Sequence, residues 1–493
     1  MVARFLLLTL LCLGLSAGPL KAEIGQADLK LAKDNLLKIL SDKPEDAQAL
    51  RGLRASEDKQ LLPILAAMCR GKDKDRQLFA VMCVTDMGGQ SVNDLMRQCF
   101  RDDTLSEIRG AAFNHLISNN ACTDEDLAIA IASNDDNLIL MAGRELVKRK
   151  QFDKAIEPLK TLIGKPDQEN ASLARMVLLA AGDASQAPEL EKVVSAKTTS
   201  PWQKLLLMGI VEKDVILQAD PVVRKVIASD DTPRVRAIAF RALAALSPEE
   251  GVQAIVQELD KKSEDPVLQV QLISGLAPLA SGKKALARLK GSASPIVAAM
   301  AGFELARADN QDKELAETTR ALMRTSHPIV VDYVLAQAAK SPSAGYAPGL
   351  LLFINSVPTE SRQMLPEHQR AAKATALLVK IAAPEELKGL EKILAGPYNA
   401  RSRSVASGLI QAEGEAVAGL CQIVLASPYD ELVTDAALAL GKTGDARATE
   451  PLLQILHHPD RYPPALLSIV SWQLLKIAGQ SDAFAKELAG KVR

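Results

Sequence analysis

The sequence has 493 residues, too many for one compact core at ~100 to 200 residues per domain, so the chain is multidomain or a repeat array. Lys and Arg total 59 against 60 Asp and Glu, a net charge of -1 that supplies no bulk attraction to nucleic acid or to an anionic membrane. The composition is 48% hydrophobic but only 3% aromatic, with much Ala and Leu, which excludes disorder and collagen and favours helices over a sandwich or barrel.

Residues 1–22 read as a secretory signal peptide: Arg4, an apolar run at 5–15 (FLLLTLLCLGL), then Ser16, Ala17 and Gly18, with cleavage expected after Ala22 or Ala17. The run is shorter than the ~18 to 20 residues of a spanning helix, and no later stretch qualifies, so the expectation is an exported chain with no integral membrane segment once the signal is removed. From residue 23 onward, apolar positions recur at three and four spacing, as in 61–70 (LLPILAAMCR) and 238–246 (IAFRALAAL), separated by breaks rich in Asp, Pro, Gly and Ser.

The breaks keep a period. Pro233, Pro266, Pro295 and Pro328 each open an apolar helix, at separations of 33, 29 and 33 by subtraction. Proline suits a helix start because its φ is already helical and its missing donor has no partner there. Pro397-Tyr398-Asn399 and Pro428-Tyr429-Asp430 recur 31 apart, and Pro463 follows 35 later. A period in the low thirties with two helices per unit specifies an all-α fold, an α-solenoid of stacked helical hairpins.

Residues 430–457 (DELVTDAALALGKTGDARATEPLLQILH) resemble a HEAT repeat of the phycobilisome-lyase-like type, whose second helix carries an Arg followed by spaced Ala and an Ala-Leu-Gly. Arg109 with Ala112 and Leu116, Arg236 with Ala239, Ala242 and Leu243, and Arg403 with Ala406 and Ile410 are similar to the start of that helix; Asp102-Asp103-Thr104 and Asp230-Asp231-Thr232 precede the first two. Residues 29–53 and 152–183 instead resemble tetratricopeptide helices, with Ala155, Ile156 and Leu159 in register and Pro44 or Pro166 closing a unit. The resulting division is a signal peptide at 1–22, an N-terminal TPR/HEAT-like array at 23–200, HEAT-like repeats at 201–340, an irregular joint at 341–366 and C-terminal HEAT-like repeats at 367–493. Softer stretches are expected at 196–201, 341–348 and 357–366, where Pro and small polar residues cluster.

Arg109, Arg236 and Arg403 are read as structural repeat positions, each bonding turn carbonyls and Asp side chains of a neighbouring repeat; an anion-binding ladder is the alternative. His457-His458 is read as a solvated loop rather than a metal site, because adjacent residues on a turn point apart. His115 suits a packed or capped position at a core edge, His327 and His368 stand alone in sequence, and Trp202 and Trp472 suit packing better than base stacking. The patterns of di-iron, covalent-haem, metalloprotease, nucleophile-elbow and P-loop sites do not occur in the sequence. No catalytic residue, metal site or cofactor follows from it.

Five cysteines follow the leader: Cys69, Cys83, Cys99, Cys122 and Cys421. Cys69 and Cys99, 30 apart, would occupy equivalent places in stacked helices ~8 to 10 Å apart, beyond the ~7 Å between Cα atoms that a bridge allows. Free buried thiols are therefore expected. The functional expectation is a non-catalytic exported scaffold that binds a protein or peptide partner along a concave face, without nucleic acid. The alternative class, implied by the repeat resemblance, is an enzyme or chromophore-attachment factor on the same scaffold.

Overall fold

The computed structural model describes residues 24–39 and 58–491, apart from 72, 86, 88, 103–104, 230, 262–264, 362–363 and 382. The expected signal peptide and its cleavage sites, Cys12, Pro44, Gly88, Asp103-Thr104 and Asp230 lie outside the described residues. The structure is 79% helical: 28 α-helices packed in successive pairs, with no strand among the described residues. The fold is thus the all-α helical-hairpin array that the periodicity specifies.

Its punctuation is chemical. Pro233, Pro266, Pro295 and Pro328 are the first residues of the helices Pro233–Leu246, Pro266–Leu276, Pro295–Ala308 and Pro328–Lys340. In the first three, the side chain just before the proline caps the helix: Thr232 accepts from the Val235 amide, Asp265 from Val267 and Leu268, and Ser294 from Val297. Helix ends repeat as well. Asn120, Lys150, Gly182, Asn310, Gly444 and Gly479 all have positive φ. The next amide then reaches back five residues, Ala121 to Leu116 O at 2.8 Å, Asp183 to Leu178 O at 3.0 Å and Asp445 to Leu440 O at 3.1 Å. This closure satisfies carbonyls that a helix end leaves unpaired.

The packing divides the chain into two units, one containing Met68–Ser356 and the other formed by residues up to Ala67 together with Val357–Arg493. In this division the N-terminal helix belongs with the C-terminal repeats rather than with the 68–356 unit. Helix Gln26–Ile39 packs against Pro464–Ile477 instead, burying Leu29, Ala32 and Leu36. Asp28 meets His457 at 2.8 Å; Asp58 takes hydrogen bonds from Trp472 Nε1 at 3.2 Å and Lys476 Nζ at 2.8 Å; and Ser481 donates to Gln60 at 2.8 Å. His457 is the last residue of helix Thr449–His457, exposed to solvent and paired with Asp28, and His458 follows it exposed outside the helix.

The core of the 68–356 unit is continuous from pair to pair. Leu207 and Val211, Val222 and Val223, and Val235, Ala239 and Leu243 come from three successive helices and are all buried in one cluster. Each large side chain so buried contributes ~1.5 to 3 kcal/mol relative to exposure. Polar ties between repeats keep the period: Arg241 Nε to Glu212 Oε1 at 2.8 Å and Tyr333 Oη to Glu304 Oε1 at 2.6 Å each span 29 residues. Gly441, the glycine of the Ala-Leu-Gly signature, marks a close approach, since a Cβ there would lie 2.3 Å from Gln473 Oε1 on helix Pro464–Ile477.

Candidate functional site

In the unit formed by residues up to 67 and from 357 onward, the segment expected to be a soft joint at 357–366 is tied down. Arg401 donates from Nε and a terminal nitrogen to Val357 O at 3.1 and 2.8 Å, and the Ala400 amide donates to Thr359 O at 3.2 Å. The fully buried His368 accepts the Leu365 amide on Nδ1 at 3.0 Å, so its proton sits on Nε2, which donates to Pro358 O at 3.0 Å. The segment thereby becomes one wall of a cleft of about 800 Å³, whose other walls include Tyr398, Asn399, Arg403 and Glu431.

Asn399 caps helix Ala400–Gln411 by accepting from Arg401 and Ser402, while Ser402 returns a bond to the Asn399 amide, which fixes the loop that carries Tyr398. Tyr429 is the residue immediately before helix Asp430–Lys442, one place nearer its helix than Tyr398 is to Ala400–Gln411. The two rings stack with centroids 5.1 Å apart and an interplanar angle of 29°. Tyr429 remains 39% exposed. Helices Ala400–Gln411 and Asp430–Lys442 lie side by side, and Gly408 allows the equally close packing of Ala400–Gln411 on Pro366–Ile381, since a Cβ there would meet Ala372 O at 2.5 Å.

Arg403 is exposed at this cleft and its side chain makes no hydrogen bond among the described residues; its charge acts on Asp435, and Glu431 lines the same cleft. Burial pushes Asp435 up to about 7, the Arg403 charge opposes that shift, and Glu431 one turn away adds to it. A guanidinium without a bonded partner, a carboxyl that changes charge near neutrality and two stacked phenol rings thus share one edge of the repeat array. A second cleft of about 840 Å³ in the 68–356 unit has no aromatic lining, and its charged groups, Asp260 and Arg288, are already paired at 2.5 Å.

The three arginines of the sequence pattern do three different things. Arg109 lies over the Phe100 ring and donates to Phe100 O at 3.2 Å. Arg236 pairs with the Glu258 side chain, which Lys261 also reaches at 2.9 Å, and makes no turn contact. Arg403 faces the cleft. Arg109 thus takes the expected part of a guanidinium on a helix-end carbonyl, as do Arg97 on Ala121 O at 2.7 Å, Arg149 on Cys122 O at 2.9 Å and Arg401 on Val357 O, whereas Arg236 meets a carboxylate and Arg403 faces the cleft. Tyr398 and Tyr429 were visible as a Pro-Tyr repeat; His368 and Asp435 gave no sequence signal, since their roles come from burial.

Of the other residues singled out, His115 is buried with Nε2 3.0 Å from Asn93 Oδ1, and burial pulls its pKa below the usual value. His327 precedes the helix Pro328–Lys340. Trp472 is buried, whereas Trp202 is 59% exposed at the second position of its helix, so it is not the packing group expected. The five thiols are all buried and none is in a disulfide. Among the described residues no group of His, Cys, Asp and Glu is placed to hold a metal ion, and no helix is long and apolar enough to cross a membrane.

No protein-family model and no curated protein matches the chain. Among solved structures it is similar to the karyopherin Kap121p bound to the extreme C-terminus of the protein phosphatase Cdc14p, at 11% identity over 94% of this chain and 64% of that one, with a TM-score of 0.33. It is similar to the S. pombe condensin Cnd3-Cnd2 subcomplex at 14% identity over 94% and 71%, TM-score 0.27. An engineered protein is 19% identical over 71% of this chain and 97% of its own, TM-score 0.24. The chain spans 64% of the length of the Kap121p chain. Likeness at this level is silent on what this chain binds.

Proposed function

We propose that this protein is a non-catalytic helical-repeat scaffold that holds a protein or peptide partner, with the cleft lined by Tyr398, and Tyr429 stacked beside it, as its contact. The observation that carries the reading is the stacked, part-exposed tyrosine pair beside the unpaired Arg403 guanidinium. Tyr and Arg are the side chains that most often dominate binding energy, because they bring large contact area or several donors for little ordering cost. The repeat fold adds a surface on which such contacts recur at fixed intervals. The absence of bulk positive charge favours a protein over a nucleic acid.

The leader at 1–22 supports export, so the partner belongs to the periplasmic or extracellular space in this reading. Protein recovered outside the cytoplasm should begin at Glu23 or Gly18 by intact mass; a full-length cytosolic product contradicts export. For the cleft, the test is affinity capture with the wild-type chain and with Tyr398→Ala/Tyr429→Ala and Arg403→Glu chains whose circular dichroism is unchanged. A partner retained by the wild type and lost from both variants supports the assignment; a partner set indifferent to them contradicts it.

Within the chromophore-attachment alternative, with its phycobilisome-lyase-like subtype, covalent holding of the chromophore on this chain would need an accessible nucleophile. Cys421, the one described thiol in the cleft's unit, is fully buried and pushed up to about 12 by that burial. That chemistry disfavours covalent attachment at this cleft, because the thiolate is the attacking form.

A further inference from the structure

Three of the five thiols gather in one place. Cys69 is the last residue of helix Leu62–Cys69, Cys83 lies in Lys74–Thr85 and Cys99 in Gln90–Asp102. They are 2%, 3% and 4% exposed. The Cys69 and Cys99 side chains lie within bonding reach of one another, with Cys83 close by. An independent bond holds the Cys69 and Cys99 segments together, since Arg70 Nε donates to Gln98 Oε1 at 3.0 Å, one residue away on each side; Gln77, on the helix of Cys83, donates from Nε2 to Cys69 O at 2.8 Å. The separation argued from stacked equivalent helices does not apply here. Cys69 is the last residue of its helix and Cys99 is the tenth of the thirteen in its own, so the two do not hold equivalent places.

We infer that Cys69 and Cys99 are a redox pair, poised to close into a disulfide when the chain meets a low-molecular-weight disulfide. One cysteine thiolate attacks a sulfur of the donor, breaking its S–S bond and releasing one donor thiolate; the second cysteine thiolate then attacks the mixed disulfide and releases the other. Two protein thiols are oxidised, the donor is reduced to two thiols, and the two cysteine protons pass through solvent to the released thiolates. Cys122 takes no part, since its S–H points to Thr123 O at 3.7 Å, and Cys421 belongs to the other unit. The adjacent Cys99 thiol and burial both hold the Cys69 thiol above its ordinary pKa, so reaction proceeds through opening at the helix end and is slow without denaturant. Thiol packing alone accounts for burial; it does not require two sulfurs to face each other across helices. This pairing is independent of the tyrosine cleft.

The test uses the full chain, incubated reduced and folded with oxidised glutathione, quenched with acid, alkylated in denaturant and mapped by mass spectrometry. The expected result is a linked pair of peptides containing Cys69 and Cys99, with Cys83, Cys122 and Cys421 alkylated, and a melting temperature that rises on oxidation and returns on reduction. Cys69→Ala and Cys99→Ala should each abolish the link while Cys83→Ala leaves it, with circular dichroism confirming that all three fold. Full alkylation of Cys69 and Cys99 after prolonged incubation overturns the pairing, as does a link from either of them to Cys83.

Discussion

Two carboxylates, one in each unit, show how the same residue type becomes structural or available. Asp126, fully buried in the 68–356 unit, accepts from Arg97 Nε at 3.1 Å, from Arg101 at 2.7 and 3.2 Å, and from the Thr123 amide and hydroxyl at 3.0 and 2.8 Å. Burial pushes its pKa up, but Thr123 and the two guanidiniums outweigh that and hold it below the usual carboxylate range. Asp435, in the other unit, has an arginine nearby but no hydrogen bond among the described residues, and burial dominates. A fully satisfied carboxylate locks neighbouring repeats together; an unsatisfied one leaves charge and bonding capacity for something else.

The sharpest way to break that comparison is to remove Asp126. Asp126→Ala leaves two guanidiniums facing a buried gap and should cost ~3 to 5 kcal/mol, read as a drop in melting temperature by circular dichroism. A loss below ~1 kcal/mol would mean that water already screens the pair.

Asp435→Asn should act in the opposite direction. The folded pKa lies above the unfolded one, so the folded state binds the extra proton between about 4 and about 7, and stability is full below that window and lost as pH rises through it. Replacing the ionisable group should stabilise the protein at pH 8 by ~1 to 3 kcal/mol and flatten the fall in stability across the window. Denaturant midpoints at pH 4 and pH 8 check this; an unchanged slope in the variant would assign the titration to another group.

The arginines provide the next contrast. Arg236→Ala strips a partner from the buried Glu258 carboxylate and should cost ~1 to 3 kcal/mol. Arg403→Ala, at an exposed position without a hydrogen bond, should stay within ~0.5 kcal/mol. Equal melting-temperature losses in the two would contradict the separation into structural and available arginines. The smallest expected effect is at Val215, a β-branched residue at φ 51°, where Val215→Gly should gain ~0.5 to 1 kcal/mol by relieving backbone strain.

The sequence made the local rules of this molecule readable and hid its long-range ones. Pro233, Pro266 and Pro295 announce helix starts because proline at the first position and a Thr, Asp or Ser cap before it act within four residues. The docking of Leu29 and Leu36 on a helix more than four hundred residues later leaves no local trace, since any apolar stripe on one helix fits many others. The cleft was half-legible for the same reason. Pro-Tyr recurs visibly at 398 and 429, yet which arginine turns outward depends on helix rotation: Arg401 and Arg403 are two residues apart, and only the packing assigns one to Val357 O and the other to the cleft.

The claim that most of the account rests on is that the edge carrying Tyr429 is a partner-binding surface. A photoreactive phenylalanine analogue placed at 429 in the exported chain tests it directly, with the exposed Lys160 position on the other unit as control. The account predicts one discrete crosslinked partner from position 429, abolished by Arg403→Glu and absent from position 160. No adduct at 429, or the same adducts from both positions, would contradict it.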